Sequence, residues 1–176
     1  MKQTLSVITC VTVLAATGLR VVGAETAKAI RFSGVNVQVV NGTNSTDEDV
    51  NGLGNLIVGY QELRSNDGVD GTVDTNDRRG SHNLVVGSEN NYSIYAGQVV
   101  GRHNIISGHL STVCGGQYNT AEGEKSTVSG GDRNTASGGY STVSGGVRNS
   151  ASVYYSAVNG GRDYIADQAA GPQATN

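Results

Sequence analysis

Four aspartates within one short segment are the residues best suited to bind a metal ion in this sequence. The segment NDGVDGTVDTND contains Asp67, Asp70, Asp74 and Asp77. Carboxylate oxygens are hard ligands, and Ca²⁺ takes about six to eight oxygen ligands. Because the spacing is not that of a known calcium loop, a solvated acidic loop is the favoured interpretation, with a calcium site as the alternative. No cofactor is expected.

The residues that could carry catalysis do not form a recognisable constellation. An enzyme needs a nucleophile, a base and an orienting group held together, and no such set can be assembled around His82, His103 or His109. For His103 a solvated side chain is the favoured interpretation, with a contact to a neighbour in the preceding coil as the alternative. Glycine-rich turns cradle phosphate only where a helix N-terminus follows, and no helix is predicted after these turns. The chain is therefore predicted not to be an enzyme.

Three arginines border or enter the acidic segment and are the candidate partner-binding residues. Arg64, Arg78 and Arg79 lie in a stretch, residues 64–81, that has no apolar periodicity and is rich in Asp, Asn and Gly. Such composition predicts an inserted loop that projects from the fold. Because loops on rigid scaffolds often carry binding, we expect these arginines to contact a partner.

A repeat in the C-terminal half determines the fold prediction. Four copies of a 15-residue phrase begin at Ser111, Ser126, Ser141 and Ser156, and self-similarity at a fixed period is typical of repeat architectures. The unit is too short for a helix pair and is rich in Ser, Thr, Val, Gly and Asn, which disfavour helices. The sequence predicts an all-β chain, a parallel β-solenoid or β-roll with coils of 14–15 residues and two short strands in each coil.

Within each coil, the phrases STVS and NTAS are the strand candidates. Side chains alternate across a strand, so one apolar residue in each strand points inward. The predicted core columns are Val113, Val128, Val143 and Val158 on the first strand, and Ala121, Ala136 and Ala151 on the second.

Glycines and asparagines recur at the turns between the strands. Glycine accepts positive φ without steric cost, and stacked asparagine side chains can hydrogen-bond along a solenoid. The predicted turn and ladder positions are Gly115, Gly130, Gly145 and Gly160, with Asn104, Asn119, Asn134 and Asn149.

The segments outside the repeat complete the predicted domain organisation. Residues 1–24 read as a secretory signal peptide, with Lys2 ahead of an apolar run and small residues before the cleavage position. Residues 25–52 are predicted to form an N-terminal cap with a lead-in strand, 53–166 the solenoid with the inserted loop 64–81, and 167–176 a flexible tail. Arg20 interrupts the apolar run short of the ~20 residues that a membrane span needs, so no span is expected in the mature chain.

The net charge of the chain argues against a nucleic-acid partner. The full chain has a formal net charge of −3, and loss of Lys2 and Arg20 with the signal peptide takes the mature chain to −5. Proteins that bind nucleic acid usually carry a basic face, so no nucleic-acid partner is expected. The predicted location is secreted or extracellular, at a cell surface.

The phrases SGGYSTVSGG and RNTASGG resemble the head repeats of trimeric autotransporter adhesins, the YadA-like head family. The resemblance covers residues 83–166 and is clearest at 111–152. It implies a left-handed parallel β-roll that forms a homotrimer on a bacterial surface and binds a host or surface ligand. The sequence after residue 166 does not resemble the stalk or anchor of such adhesins, so a secreted head-like module is expected.

A trimer would cover apolar side chains that point out of the coils. We expect the subunit interface at four outward positions in or beside the predicted strands. These are Val86, Val100, Ile105 and Tyr118.

The outward Thr and Ser side chains of the repeat are compatible with a second function. Outward ranks of Thr and Ser resemble the flat hydroxyl arrays of ice-binding β-solenoids, so an ice- or crystal-binding role is the alternative to adhesion. The ranks contain Thr127, Ser129, Thr142, Ser144, Thr135 and Ser137. Cys114 interrupts one rank, either as an incidental replacement for Ser or as a residue that pairs between chains.

Overall fold

The structure is a computed structural model that describes residues 34, 36–47, 49–64 and 75–168. The predicted signal peptide, the predicted tail beyond residue 168 and the aspartates at 67, 70 and 74 lie outside the described residues. The chain divides into two units, residues 1–37 and 38–176. In the first unit the described residues, Gly34, Asn36 and Val37, are exposed. The second unit contains every strand described below.

The second unit is a stack of short strands. In chain order the strands of the described part are β1 (Leu56–Val58), β2 (Leu84–Ser88), β3 (Asn91–Tyr92), β4 (Gln98–Arg102), β5 (Ile105–Ile106), β6 (Thr112–Val113), β7 (Thr120–Ala121), β8 (Thr127–Val128), β9 (Thr135–Ala136), β10 (Thr142–Val143), β11 (Ser150–Ala151), β12 (Ala157–Val158) and β13 (Ile165–Ala166). Most consist of a β-branched residue and one small or apolar residue, which suits a half-buried pleated surface. The described residues contain no helix.

The strands form two parallel sheets. One has the order β1-β2-β4-β6-β8-β10-β12 and the other β13-β11-β9-β7-β5-β3. Successive coils pair in register at the period of the repeat, so Val128 lies between Val113 and Val143. In the earlier coils Val85 lies opposite Val99, so the coil there is shorter by a single residue. The predicted fold class, a parallel β-solenoid with two short strands in each coil and coils of these two lengths, is confirmed.

The core is a narrow column between the two sheets. One row contains valines from Val85 to Val158, and the facing row begins with Tyr92 and Ile106 and continues with alanines. The sequence-predicted core residues lie in these two rows, and all but Val158, at 7 %, have no measurable exposure. From Val113 onward the facing residues are alanines, so the two sheets can approach closely there and little volume is available for larger side chains.

The segment around residues 75–81 joins the stack. The carbonyl of Asp77 accepts a hydrogen bond from the backbone N–H of Tyr92 at 2.9 Å, and the N–H of Gly80 donates to the carbonyl of Tyr92 at 2.9 Å. These residues of the predicted inserted loop therefore run along β3 as part of the first coil. Residues 36–47, in the predicted cap, contain no strand.

One glycine column sets how closely the coils approach at a corner. A Cβ atom on Gly123 would lie 2.0 Å from the carbonyl oxygen of Gly138, and one on Gly108 would lie 2.1 Å from the carbonyl oxygen of Gly123. Neither carbonyl oxygen can move away, because both belong to backbone that the hydrogen-bond ladder holds in place. Glycine is therefore required here by contact between coils.

We expect Gly123→Ala to destabilise the protein by about 2 kcal/mol or more, because overpacking against fixed backbone displaces a coil. Gly115→Ala is the matched control, since a Cβ there has no atom within 4 Å. Urea unfolding followed by circular dichroism gives both values. Equal midpoints for the two variants would contradict the steric argument.

Candidate interaction surfaces

The asparagine column is an internal hydrogen-bond ladder. The backbone N–H of Asn134 donates to Oδ1 of Asn119 at 2.9 Å, and Nδ2 of Asn134 donates to the carbonyl oxygens of Gly130 and Gly146, each at 2.9 Å. Oδ1 of Asn134 in turn accepts from the N–H of Asn149 at 3.0 Å. Each asparagine, through its backbone N–H and its carboxamide, therefore joins three successive coils, and the buried column holds the fold together.

The predicted partner-binding arginines lie in different environments. Arg64 is 7 % exposed, and its guanidinium donates to the carbonyl of Glu89. The guanidinium of Arg78 donates to the carbonyls of Gln61 and Glu62. Arg79 is the most accessible of the three, with 72 % of its side chain exposed beside Asp77. The structure therefore places two of these arginines against the coil, and Arg79 faces solvent.

The described residues show no cation site. Asp77 is the one predicted calcium candidate in the described ranges, and its carboxylate forms an ion pair with Arg79 at 3.1 Å. Across residues 34, 36–47, 49–64 and 75–168, no group of three or more His, Cys, Asp or Glu residues is arranged to hold a metal ion. No helix in these ranges is long and apolar enough to cross a membrane.

A charged cluster at one corner includes His103. Its ring is buried, Nδ1 lies 3.1 Å from Oε2 of Glu89, and the ring packs on Tyr118 with centroids 4.6 Å apart. Nε of Arg102 donates to the other Glu89 oxygen at 2.9 Å. The interpretation of His103 as solvated is wrong, because its positive φ of 60° at the turn places the ring between neighbouring coils. Glu89 precedes His103 by the length of one coil, and this spacing could have indicated the pair.

Three of the proposed interface positions lie on the outer faces of the sheets, and the fourth, Tyr118, lies at a turn and packs on His103. Val86, Val100 and Ile105 are half-buried within the single chain. Thr112, Thr127 and Thr142 are in register on one sheet. Cys114 follows the first of these and is exposed.

Three tyrosines form an exposed cluster that the sequence analysis did not predict. Tyr140, Tyr154 and Tyr155 contact one another with ring centroids 4.4–5.4 Å apart, and Lys125 lies over the Tyr140 ring. We call these residues, with Glu124, the aromatic corner. Tyr140 follows Lys125 by one period of the repeat, and Tyr155 follows Tyr140 by another, so the sequence could have shown that they stack.

One comparison with known proteins identifies the repeat. Residues 126–138 match the ubiquitous surface protein adhesin repeat. The matched segment contains β8 and β9, so it corresponds to the two strands of one coil. The match and the β-solenoid together fit the resemblance to YadA-like head repeats. No curated protein and no solved structure is significantly similar to the chain.

We expect Asn134→Ala to cost about 3 kcal/mol of unfolding free energy, because the Asn149 N–H and the Gly130 carbonyl lose their side-chain partner in a buried site. Asn159→Ala, at an exposed position, should change stability little. Chemical denaturation of both variants measures the difference. A ladder that contributes nothing would give Asn134→Ala the stability of the control.

Proposed function

We propose that this chain is a surface-displayed, non-enzymatic adhesive repeat protein that assembles as a homotrimer and binds a ligand on a host cell or other surface. The adhesin-repeat match at residues 126–138 is the observation that carries this proposal. It falls on one coil of a solenoid whose other coils repeat the same backbone pairing. The matched phrase is therefore a structural unit of the whole stack.

An apolar stripe on the outer face of one sheet supports self-association. Val58 pairs with Val86, and Val86 pairs with Val100, so three valines lie side by side on adjacent strands. Val58 is 55 % exposed, as is Leu56 two residues before it. Contiguous exposed apolar surface of this kind is typical of protein interfaces. A second copy seated on this stripe would remove it from water.

The first of two contact candidates for a ligand is the segment that contains Arg79. Its guanidinium is the accessible one of the three loop arginines, and it projects from residues anchored to the first coil by Asp77 and Gly80. An accessible positive charge on an anchored segment is suited to binding an acidic partner. The flat outer faces of the sheets are the second candidate.

The mass of the mature protein in solution should equal three chains. Val86→Asp should give a lower mass, because a carboxylate in the apolar stripe would be desolvated at the interface, whereas Thr127→Asp on the same sheet serves as control. Light scattering in the presence of reductant measures this without a contribution from Cys114. A wild-type mass of one chain would refute the trimer.

Reversing the charge at Arg79 should weaken attachment if the loop carries the contact. We expect Arg79→Glu to reduce binding to cultured epithelial cells by several-fold, because it reverses the accessible charge on a segment that Asp77 and Gly80 anchor to the first coil. Arg148→Glu is the matched control, because Arg148 is also exposed and paired with an aspartate, Asp163. Unchanged attachment in the Arg79 variant would move the contact to the sheet faces.

A further inference from the structure

The aromatic corner concentrates aromatic side chains at one exposed edge of the repeat coils. Elsewhere the outward positions of the repeat coils are mainly Thr, Ser and Gly. Here Tyr140, Tyr154 and Tyr155 are 36 %, 53 % and 59 % exposed. Three rings that each keep much of their surface in water form a concentrated apolar surface on an otherwise hydrophilic face. Such an arrangement is typical of interaction sites.

The backbone fixes the position of these rings. The N–H of Tyr140 donates to the carbonyl of Glu124 at 2.8 Å, and the N–H of Tyr155 donates to the carbonyl of Gly139 at 3.0 Å. The Tyr154 ring lies against Gly139, where a Cβ would be 2.7 Å from the ring. Since glycine leaves this space open, one edge of the ring can approach the coil before it. The cluster is therefore pre-formed, which lowers the entropy cost of binding.

Polar groups lie beside the rings. Nζ of Lys125 donates to the hydroxyl of Tyr140 at 2.8 Å and forms an ion pair with Glu124 at 2.8 Å. The hydrogen bond from Lys125 lowers the pKa of Glu124, and Glu124 together with Tyr140 raises the pKa of Lys125. Both charged groups are thus ionised at neutral pH, and their charges balance. The corner offers donors and acceptors with no net charge.

The same edge of the solenoid continues into a cleft. The N–H of Lys125 donates to the carbonyl of His109 at 2.7 Å, and the His109 ring contacts Tyr95 at 4.8 Å between centroids. A cleft of about 400 Å³ lies there, with the carboxylates of Asp47 and Asp49 in its wall. Aromatic and polar side chains therefore follow one another along successive coils from this acidic cleft to Tyr155.

We propose that this edge, from the cleft to the aromatic corner, binds a neutral glycan. A pyranose ring has an apolar C–H face that stacks on aromatic side chains and a rim of hydroxyls that need donors and acceptors, and the corner supplies both. Adjacent coils are about 4.8 Å apart, close to the length of one pyranose unit. Successive sugars of a linear chain can therefore contact successive coils. The carboxylates at the cleft repel sulfated or sialylated chains.

The test uses the full chain on an array of immobilised neutral oligosaccharides, with heparin and sialylated glycans on the same array. The wild type should bind neutral oligosaccharides and leave heparin unbound. The double variant Tyr154→Ala/Tyr155→Ala should raise the dissociation constant for the best neutral oligosaccharide at least about tenfold. Tyr155→Phe keeps the ring and should retain most of the affinity.

The control is Tyr60→Ala, which removes a tyrosine that is 94 % exposed and lies far along the chain from the corner. It should bind as the wild type does. Urea unfolding of the double variant checks that the coil remains folded. If its stability falls, saturation-transfer NMR on the wild type takes its place, and sugar protons must receive magnetisation from the tyrosine rings.

Four outcomes would overturn the proposal. They are no binding of any neutral glycan, binding of heparin alone, equal binding by the double variant and the wild type, and a lower molar mass of the double variant in light scattering. The last would show that the corner is a contact between copies of the chain. The test measures a glycan affinity. The glycan proposal can therefore be refuted while the trimer and the Arg79 contact are upheld, and those two can be refuted while glycan binding is upheld.

Discussion

The structure depends on hydrogen bonds that run between coils along the solenoid axis. Each strand is only two to five residues long, so no strand pair would be stable by itself. The N–H of Thr127 donates to the carbonyl of Ser141 at 2.9 Å, and the same bond recurs from Thr142 to Ser156. The asparagine carboxamides add side-chain bonds to the same ladder. Stability therefore comes from stacking, in which each coil contributes mainly through its neighbours.

This constraint explains why the repeat contains so few residue types. Coils about 4.8 Å apart bring equivalent residues into contact, so each position must accept a copy of itself above and below. Valine and alanine do so in the core, and glycine does so where Gly123 meets Gly138. Positions that face solvent do not need to accept an identical residue in the coils above and below. Variation is concentrated there, as in Tyr140 and Tyr155 at one corner.

The proposed adhesion and the proposed glycan binding both depend on this difference between fixed core and variable surface. A rigid stack holds its surface side chains at fixed intervals, so binding costs little conformational entropy. The stripe that includes Val86 offers an apolar surface, the segment that carries Arg79 offers an accessible charge, and the aromatic corner offers rings with balanced charges. The three surfaces lie on different parts of the coil stack, and each can be altered by substitution without touching the core column.

The sequence by itself determined the period, the strands and the inward columns, because a residue that recurs at the period of the repeat must occupy the same place in each coil. It could also locate the asparagine ladder, since a buried carboxamide needs a partner that only another copy supplies. The period places Lys125, Tyr140 and Tyr155 in one column, but the turn conformation that brings their side chains together was decided by the tertiary structure. Lys125, Tyr140 and Tyr155 each have positive φ, a conformation that their residue types do not predict. Stacking imposes that turn and aligns their side chains, and it also buries His103, whose sequence context favours solvent.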